Sequence, residues 1–201
     1  ARPGMSAKLQ ILVNKCLNQD NDNQLKTAYV DVKKAYDSIQ HKYIHDILEK
    51  LELPTNIKKF INRMLALQKT TLKVGNCEIG TISILNGILQ GDSLSPQLFI
   101  LALEPLSRIL NLKCDMVYTS DYGIGRNHLS FIDDIKLIAN NQSDLNSLCK
   151  LTNEIFESIG LSINEQKSAN NTGDIESFGD MVNDDIGYKY LGILEDSNNL
   201  F

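Results

Sequence analysis

Residues 131–134 read Phe-Ile-Asp-Asp (FIDD) and run on into Ile135, Lys136, Leu137, Ile138 and Ala139. Two adjacent carboxylates lie between apolar runs that read as strands, where successive side chains point to opposite faces. In mid-strand one of them would enter the core, and an unpaired buried carboxylate costs several kcal/mol. A hairpin turn resolves the conflict: Phe131 and Ile132 end one strand, Ile135 begins the next, and Asp133 and Asp134 both reach the tip, where they can approach a cation. A solvated turn with two surface aspartates has the same local pattern, so the rest of the chain must decide.

Asp31 is the next carboxylate to consider. It follows Ala28, Tyr29 and Val30, at the exposed end of a strand expected over Thr27 to Val32. Three carboxylates from two strand ends suit two hard divalent cations, which take oxygen ligands, keep several waters and share substrate phosphates. An ordinary strand-end aspartate would look the same in isolation. Between Asp31 and FIDD lies Gly87-Ile88-Leu89-Gln90-Gly91-Asp92-Ser93-Leu94-Ser95-Pro96. Here a glycine-bearing loop enters a helix capped by Ser95, with Pro96 at its first position, so backbone amides and the Gln90 side chain can approach a ligand closely.

With 201 residues and 42% apolar content, the chain can bury a sizeable core as one domain or two small ones, and it reads as a soluble globular protein. Cys16, Cys77, Cys114 and Cys149 lie far apart and the three histidines lack ligand spacing, so neither a zinc site nor a disulfide framework is implied, and a reducing compartment fits. No apolar run is long enough to span a membrane, and no signal peptide is visible. The net charge of −5 is uneven: residues 1–113 carry 15 Lys/Arg against 10 Asp/Glu, and residues 114–201 carry 5 against 15. Nucleic-acid binders usually show a basic surplus, which only the first half has.

Outward from these segments, residues 6–18 suit a helix and Asn18 to Gln24 a polar loop. Ile44, Ile47, Leu48 and Leu51 are at helical spacing before Pro54. A second helix has Thr55 as its cap and Ile57, Phe60, Ile61, Met64 and Leu65 as its inner face. A hairpin follows, from Thr71 to Val74, through Gly75-Asn76, to Ile79 to Leu85. Leu98 to Leu110 continues the helix begun at Ser95, with Pro105 expected to kink it. After a hairpin over 128–139, Ser143 caps a helix with Leu145, Leu148, Ile155, Phe156 and Ile159 on one face and Gly160 as its stop. Leu161 to Asn164 and Tyr188 to Ile193 read as strands, with a loop or weak hairpin over 168–187 between them. Strands and helices mix without strict alternation, so an α+β fold is expected.

YVDVKKAYD (29–37), GILQGDSLSP (87–96), FIDD (131–134), GLSINEQKS (160–168) and YKYLG (188–192) resemble, in order and spacing, the palm motifs of reverse transcriptases. QGDSLSPQLF, together with KAYD, is most similar to non-LTR retrotransposons, and within them to site-specific elements with a restriction-enzyme-like endonuclease. The resemblance implies a polymerase palm, an antiparallel sheet backed by helices, with part of the fingers over residues 1–195; residues 196–201 would start the connection to a thumb. It implies an RNA-directed DNA polymerase that adds dNTPs to a primer 3′-hydroxyl with two Mg²⁺, for which Mn²⁺ can substitute. Asp31, Asp133 and Asp134 match the metal-binding carboxylates, and Lys167 matches the lysine that protonates the leaving pyrophosphate. Tyr36 matches the aromatic gate beneath the sugar, Gln90 and Gly91 match the nucleotide pocket, and Tyr190, Leu191 and Gly192 match the primer grip. Ile132 departs from the Ala common in relatives.

The implied partners are template RNA, primer DNA at a genomic target and dNTPs, with no membrane, inside the cell and in the nucleus during target-primed synthesis. Basic fingers are expected before Ala1, a thumb after Phe201, and an endonuclease elsewhere in the parent protein, which would account for the missing basic surplus. Two rivals remain: a polymerase-like scaffold kept for RNA or protein binding, and an unrelated Mg²⁺ hydrolase. Clustered, mutually repelling carboxylates serve a scaffold poorly, and the hydrolase needs the ordered motifs to be coincidence.

Overall fold

The computed structural model describes residues 6–22, 24–89, 91–119, 123, 125–174 and 176–199. In chain order the elements are α1 (Ala7–Asp20), β1 (Lys26–Val30), α2 (Ala35–Ser38), α3 (His41–Lys50), α4 (Thr55–Ala66), β2 (Lys69–Val74), β3 (Cys77–Ser83) and α5 (Ser95–Lys113). There follow β4 (Val117–Tyr118), β5 (Gly125–Arg126), β6 (His128–Phe131), β7 (Asp134–Ala139), α6 (Gln142–Ile159), β8 (Ala169–Asn170), β9 (Asp180–Met181), β10 (Tyr188–Tyr190) and β11 (Ile193–Glu195). They form two compact units, one of residues 1–33 with 103–201 and the other of residues 34–102.

The larger unit is built on a five-stranded sheet in the order β6-β7-β1-β8-β9. Its pairs are antiparallel except β8–β9, which is parallel. Central β1 is apolar on both faces, and from Thr27 to Val30 all of it is buried. Tyr29 joins Leu17 of α1, Leu25, Val117, Leu129, Ile138, Val182 and Tyr190 in one core cluster. Helix α6 packs against β1 and β7 with Leu145, Leu148, Phe156 and Ile159 buried, and it contributes nothing to that cluster, which puts it on the other face. Strands β10 and β11 form a separate hairpin.

In the smaller unit α3 and α4 pack through Ile44 and Leu48 against Ile61 and Leu65. The inner face expected for α4 is narrower than its apolar residues suggested, since Phe60 is 64% exposed. The β2–β3 hairpin turns at Gly75-Asn76 as expected, but both strands are exposed along their length.

The α+β class is observed, and several boundaries move. Residues Tyr188 to Ile193 are not one strand: Leu191 and Gly192 have φ of +48° and +88°, the signs of a type I′ two-residue hairpin turn. Leu161 to Asn164 contributes only a bridge, Ile163 to Val32. The segment 168–187 supplies β8 and β9 to the main sheet. Helix α6 is capped by Asn141, whose Oδ1 accepts from the Asp144 N–H at 3.0 Å, so Ser143 lies inside it. Thr55 is likewise inside α4, with Pro54 at the cap position. Helix α5 runs on through Pro105.

Candidate active site

Strands β1 and β7 pair with Val30 opposite Ile135, which brings the end of one to the start of the other. Asp31 leaves β1 there, and Asp134 is the first residue of β7. The expected turn is shifted by one position. Phe131 pairs with Asp134, so the two-residue loop is Ile132-Asp133, and Asp134 belongs to the strand. A loop this short forces φ of +60° on Ile132, a strained value for a β-branched residue that turns usually assign to glycine. The Asp133 side chain is exposed at the tip.

Asp31 is held by the segment 162–168. Its backbone N–H donates to Ser168 Oγ at 3.0 Å, its carbonyl accepts from the Asn164 N–H at 2.8 Å, and Asn164 Nδ2 donates to Asp31 Oδ2 at 2.9 Å. The Asn164 amide thus fixes one carboxylate oxygen. Lys167 is exposed in the turn that follows, its N–H bonded to the Asn164 carbonyl at 3.0 Å. Asn164 and Ser168 lie within GLSINEQKS, the segment that also carries Lys167.

Asp134 senses the other two carboxylates. Partial burial, then the charge of Asp133, then that of Asp31 push the Asp134 carboxyl above the ordinary range. Burial, reinforced by Asp31 and Asp134, pushes the Tyr188 phenol up to about 12, so Tyr188 flanks the cluster, a neighbour that sequence reasoning missed. In the same hairpin Tyr190 is buried, Leu191 is half-buried against the core cluster, and Gly192 is exposed at the turn.

All-oxygen, anionic, mutually repelling donors fit a hard divalent cation. Among the described residues no three His, Cys, Asp or Glu side chains meet as a ready-made ligand cage. Mg²⁺ does not demand one, because it is commonly held by one or two carboxylates plus waters and substrate phosphates.

The remaining expected site residues lie in the smaller unit. The Tyr36 ring stacks on Phe99, with centroids 4.9 Å apart. Its carbonyl accepts from the Ile88 N–H at 2.7 Å, the Gly87 N–H donates to the Ile39 carbonyl at 2.7 Å, and His41 Nε2–H donates to the Gly87 carbonyl at 2.7 Å. The segment after Asp31 and the segment before Gly91 are therefore pinned together. Ser95 Oγ donates to the Leu89 carbonyl at 2.6 Å, and the Leu94 N–H donates to Asp92 Oδ1 at 2.8 Å, which closes the loop that carries exposed Gly91. Gln90 lies outside the described residues.

Comparison with known proteins gives one consistent result. The Pol polyprotein of type-1 retrotransposable element R2 from Popillia japonica is 32% identical over 145 residues, 69% of this chain and 20% of that protein. That of type-2 element R2DM from Drosophila melanogaster is 30% identical over 145 residues, 70% of this chain and 13% of that protein. The chain spans less than a quarter of the length of these curated relatives. Apo telomerase from Candida tropicalis superposes with a TM-score of 0.65 at 15% identity, over 97% of this chain and 35% of that one. Telomerase from Candida albicans in complex with a TWJ fragment of telomeric RNA gives 0.62 at 14%, over 83% and 30%. At such identity these two show the fold, an α+β polymerase palm. The reverse transcriptase (RNA-dependent DNA polymerase) family matches residues 2–194. With that match covering nearly the whole chain and the R2 proteins as its relatives, this chain belongs to the reverse transcriptase family, on the non-LTR retrotransposon branch.

Proposed function

We propose that this chain is the polymerising domain of a non-LTR retrotransposon protein that copies template RNA into DNA, adding dNTPs to a primer 3′-hydroxyl. The observation that supports this most is the carboxylate cluster, three acids at the meeting ends of paired strands, in a member of the reverse transcriptase family. Asp31, Asp133 and Asp134 are the residues that would hold two Mg²⁺, or Mn²⁺ in their place, and such ions when bound supply Lewis acidity and neutralise phosphate charge. The chain's own groups position and screen. Asn164 orients Asp31 through one oxygen and leaves the other for a ligand. Lys167 Nζ, exposed beyond Asn164, donates the proton that the departing pyrophosphate takes up. Leu191 and Gly192 at the hairpin turn hold the primer end; Tyr190, expected beside them, is buried in the core cluster and supports the turn from beneath. Tyr36 excludes a ribose 2′-hydroxyl, and Gln90 and Gly91 line the nucleotide pocket. Base pairing reads the template, so the protein grips backbone and shape. We place the work at a genomic target in the nucleus, in a parent protein with a restriction-enzyme-like endonuclease.

The test is primer extension by the longest available chain carrying this domain, on homopolymer RNA with a DNA primer. Asp133→Asn removes a ligand charge and no template contact, so extension is abolished while RNA binding persists. Polymerisation by Asp133→Asn within about tenfold of the parent refutes the assignment. RNA binding without extension by the parent favours the scaffold instead.

A further inference from the structure

Lys136 stands in the middle of β7 and is fully buried, and its partner Glu195, the last residue of β11, is 1% exposed. Lys136 Nζ donates to Glu195 Oε2 and, at 3.0 Å, to Asn14 Oδ1 on α1. Asn14 Nδ2 donates to Glu195 Oε1 and the Tyr29 hydroxyl to Glu195 Oε2, each at 2.9 Å. The ammonium also lies 5.0 Å from the Tyr29 ring centroid and 6.0 Å from that of Tyr190, within cation–π range.

Such a pair is a poor source of stability. Desolvating each ion costs several kcal/mol, and apolar residues of similar volume often do as well. Its place in the structure indicates another role. Tyr29 and Lys136 are register partners, Tyr29 two residues before Asp31 and Lys136 two residues after Asp134, so strand alternation puts each on the same side as its carboxylate. Among the described residues the β10–β11 hairpin shares no ladder with the five-stranded sheet, and it is docked on it by side chains. A lone two-stranded hairpin is marginal in water. Its ring contacts, Tyr188 stacked on Tyr29 at 4.2 Å and Tyr190 in the core cluster with one long hydroxyl bond of 3.5 Å to the Leu129 carbonyl, tolerate sliding; a buried pair with five directed hydrogen bonds, the fifth from Lys136 Nζ to Asn199 Oδ1 at 3.5 Å, does not, because any shift strands two charges.

We propose that Lys136 and Glu195 are positioning residues that lock the Leu191-Gly192 turn at one distance from Asp31 and Asp134, and so set where the primer end lies. This rests on the polymerase reading above. The experiment measures steady-state extension by the longest chain carrying the domain, with primer–template and dNTP varied separately, for Lys136→Met, Glu195→Gln and the apolar double variant Lys136→Met/Glu195→Leu. Thermal melts are recorded alongside. The double variant melts near the parent temperature, yet its KM for primer–template rises about tenfold or more while its KM for dNTP stays unchanged. A double variant that regains both the melt and the primer KM overturns the proposal. So does an equal rise in both KM values, and so does failure of all three variants to fold, which would make the pair purely structural. A parent that does not extend at all refutes the polymerase reading itself, an outcome distinct from a parent that extends with variants that leave the primer KM alone.

Discussion

Gly87 lies so close to the main chain of Asp37 that a Cβ on it would meet the Asp37 carbonyl oxygen at 3.0 Å and its Cα at 3.1 Å. The contact is backbone to backbone and Gly87 has φ of +93°, so no side-chain movement can relieve an added methyl. Gly87→Ala therefore destabilises by more than about 1 kcal/mol, read as a lower urea midpoint with unchanged slope. The displaced residue adjoins Tyr36, whose carbonyl takes the Ile88 N–H, so discrimination between rNTP and dNTP also weakens in this variant.

Tyr36→Ala tests the gate directly. Removing the ring opens space for a 2′-hydroxyl, so rNTP incorporation rises relative to dNTP by at least about tenfold, or about 1.4 kcal/mol in transition-state energy. Catalysis with dNTPs falls only modestly, since no charge is lost. Because the ring also stacks on Phe99, a purely packing role predicts equal damage to both substrates, and an unchanged ratio of kcat/KM values would sink the gate assignment.

Asn164→Ala deletes the hydrogen bond to Asp31 while the backbone bonds of the segment remain. Loss of a partner that orients a metal ligand costs about 10- to 100-fold in metal affinity. The Mg²⁺ concentration for half-maximal extension therefore rises about tenfold or more, with the melting temperature little changed. A shift in melting temperature alone, with the Mg²⁺ response intact, assigns Asn164 to the fold.

His128 ties stability to acidity. It is buried between Ser107 and Asn127, at 2.7 Å from each, and burial first, then the Arg126 charge, lower its pKa from 6.5 to about 4. The folded state holds the proton less tightly than the unfolded chain, so this contribution is complete above about pH 6.5 and is lost as pH falls toward 4. It is worth about 3 kcal/mol in all. Urea unfolding at pH 7 and pH 5 shows a smaller drop in His128→Gln than in the parent; equal drops rule His128 out as the source.

Local pattern made FIDD and Asp31 legible, because carboxylates at the ends of apolar strands are visible without knowing what lies opposite. The one-residue shift at Ile132 was not, since a β-branched residue at positive φ contradicts ordinary turn chemistry. Leu191-Gly192 hid for a related reason: a turn with positive φ at both positions is usually announced by Asn-Gly or Asp-Gly. Lys136 was hidden most completely. In a strand a lysine reads as facing solvent, and its burial depends on Glu195 from a hairpin far along the chain. Asn164 and Ser168 stood in a motif already in view, but their bonds to Asp31 arise only when that segment folds back on β1.

Strand β1 occupies the centre of its sheet, and both neighbours, β7 and β8, come later in the chain, beyond the whole of the smaller unit. During synthesis the ribosome releases Lys26–Val30 long before anything can pair with it. Closing so long a loop adds little entropy cost, growing only with the logarithm of its length, but it does impose an order of events. A nascent chain holds an apolar strand with two open edges until the strand bearing Asp134 emerges, the circumstance in which strands pair wrongly with other copies. The carboxylate cluster is thus assembled late, and a chain halted before β7 carries an aggregation hazard and an incomplete cluster.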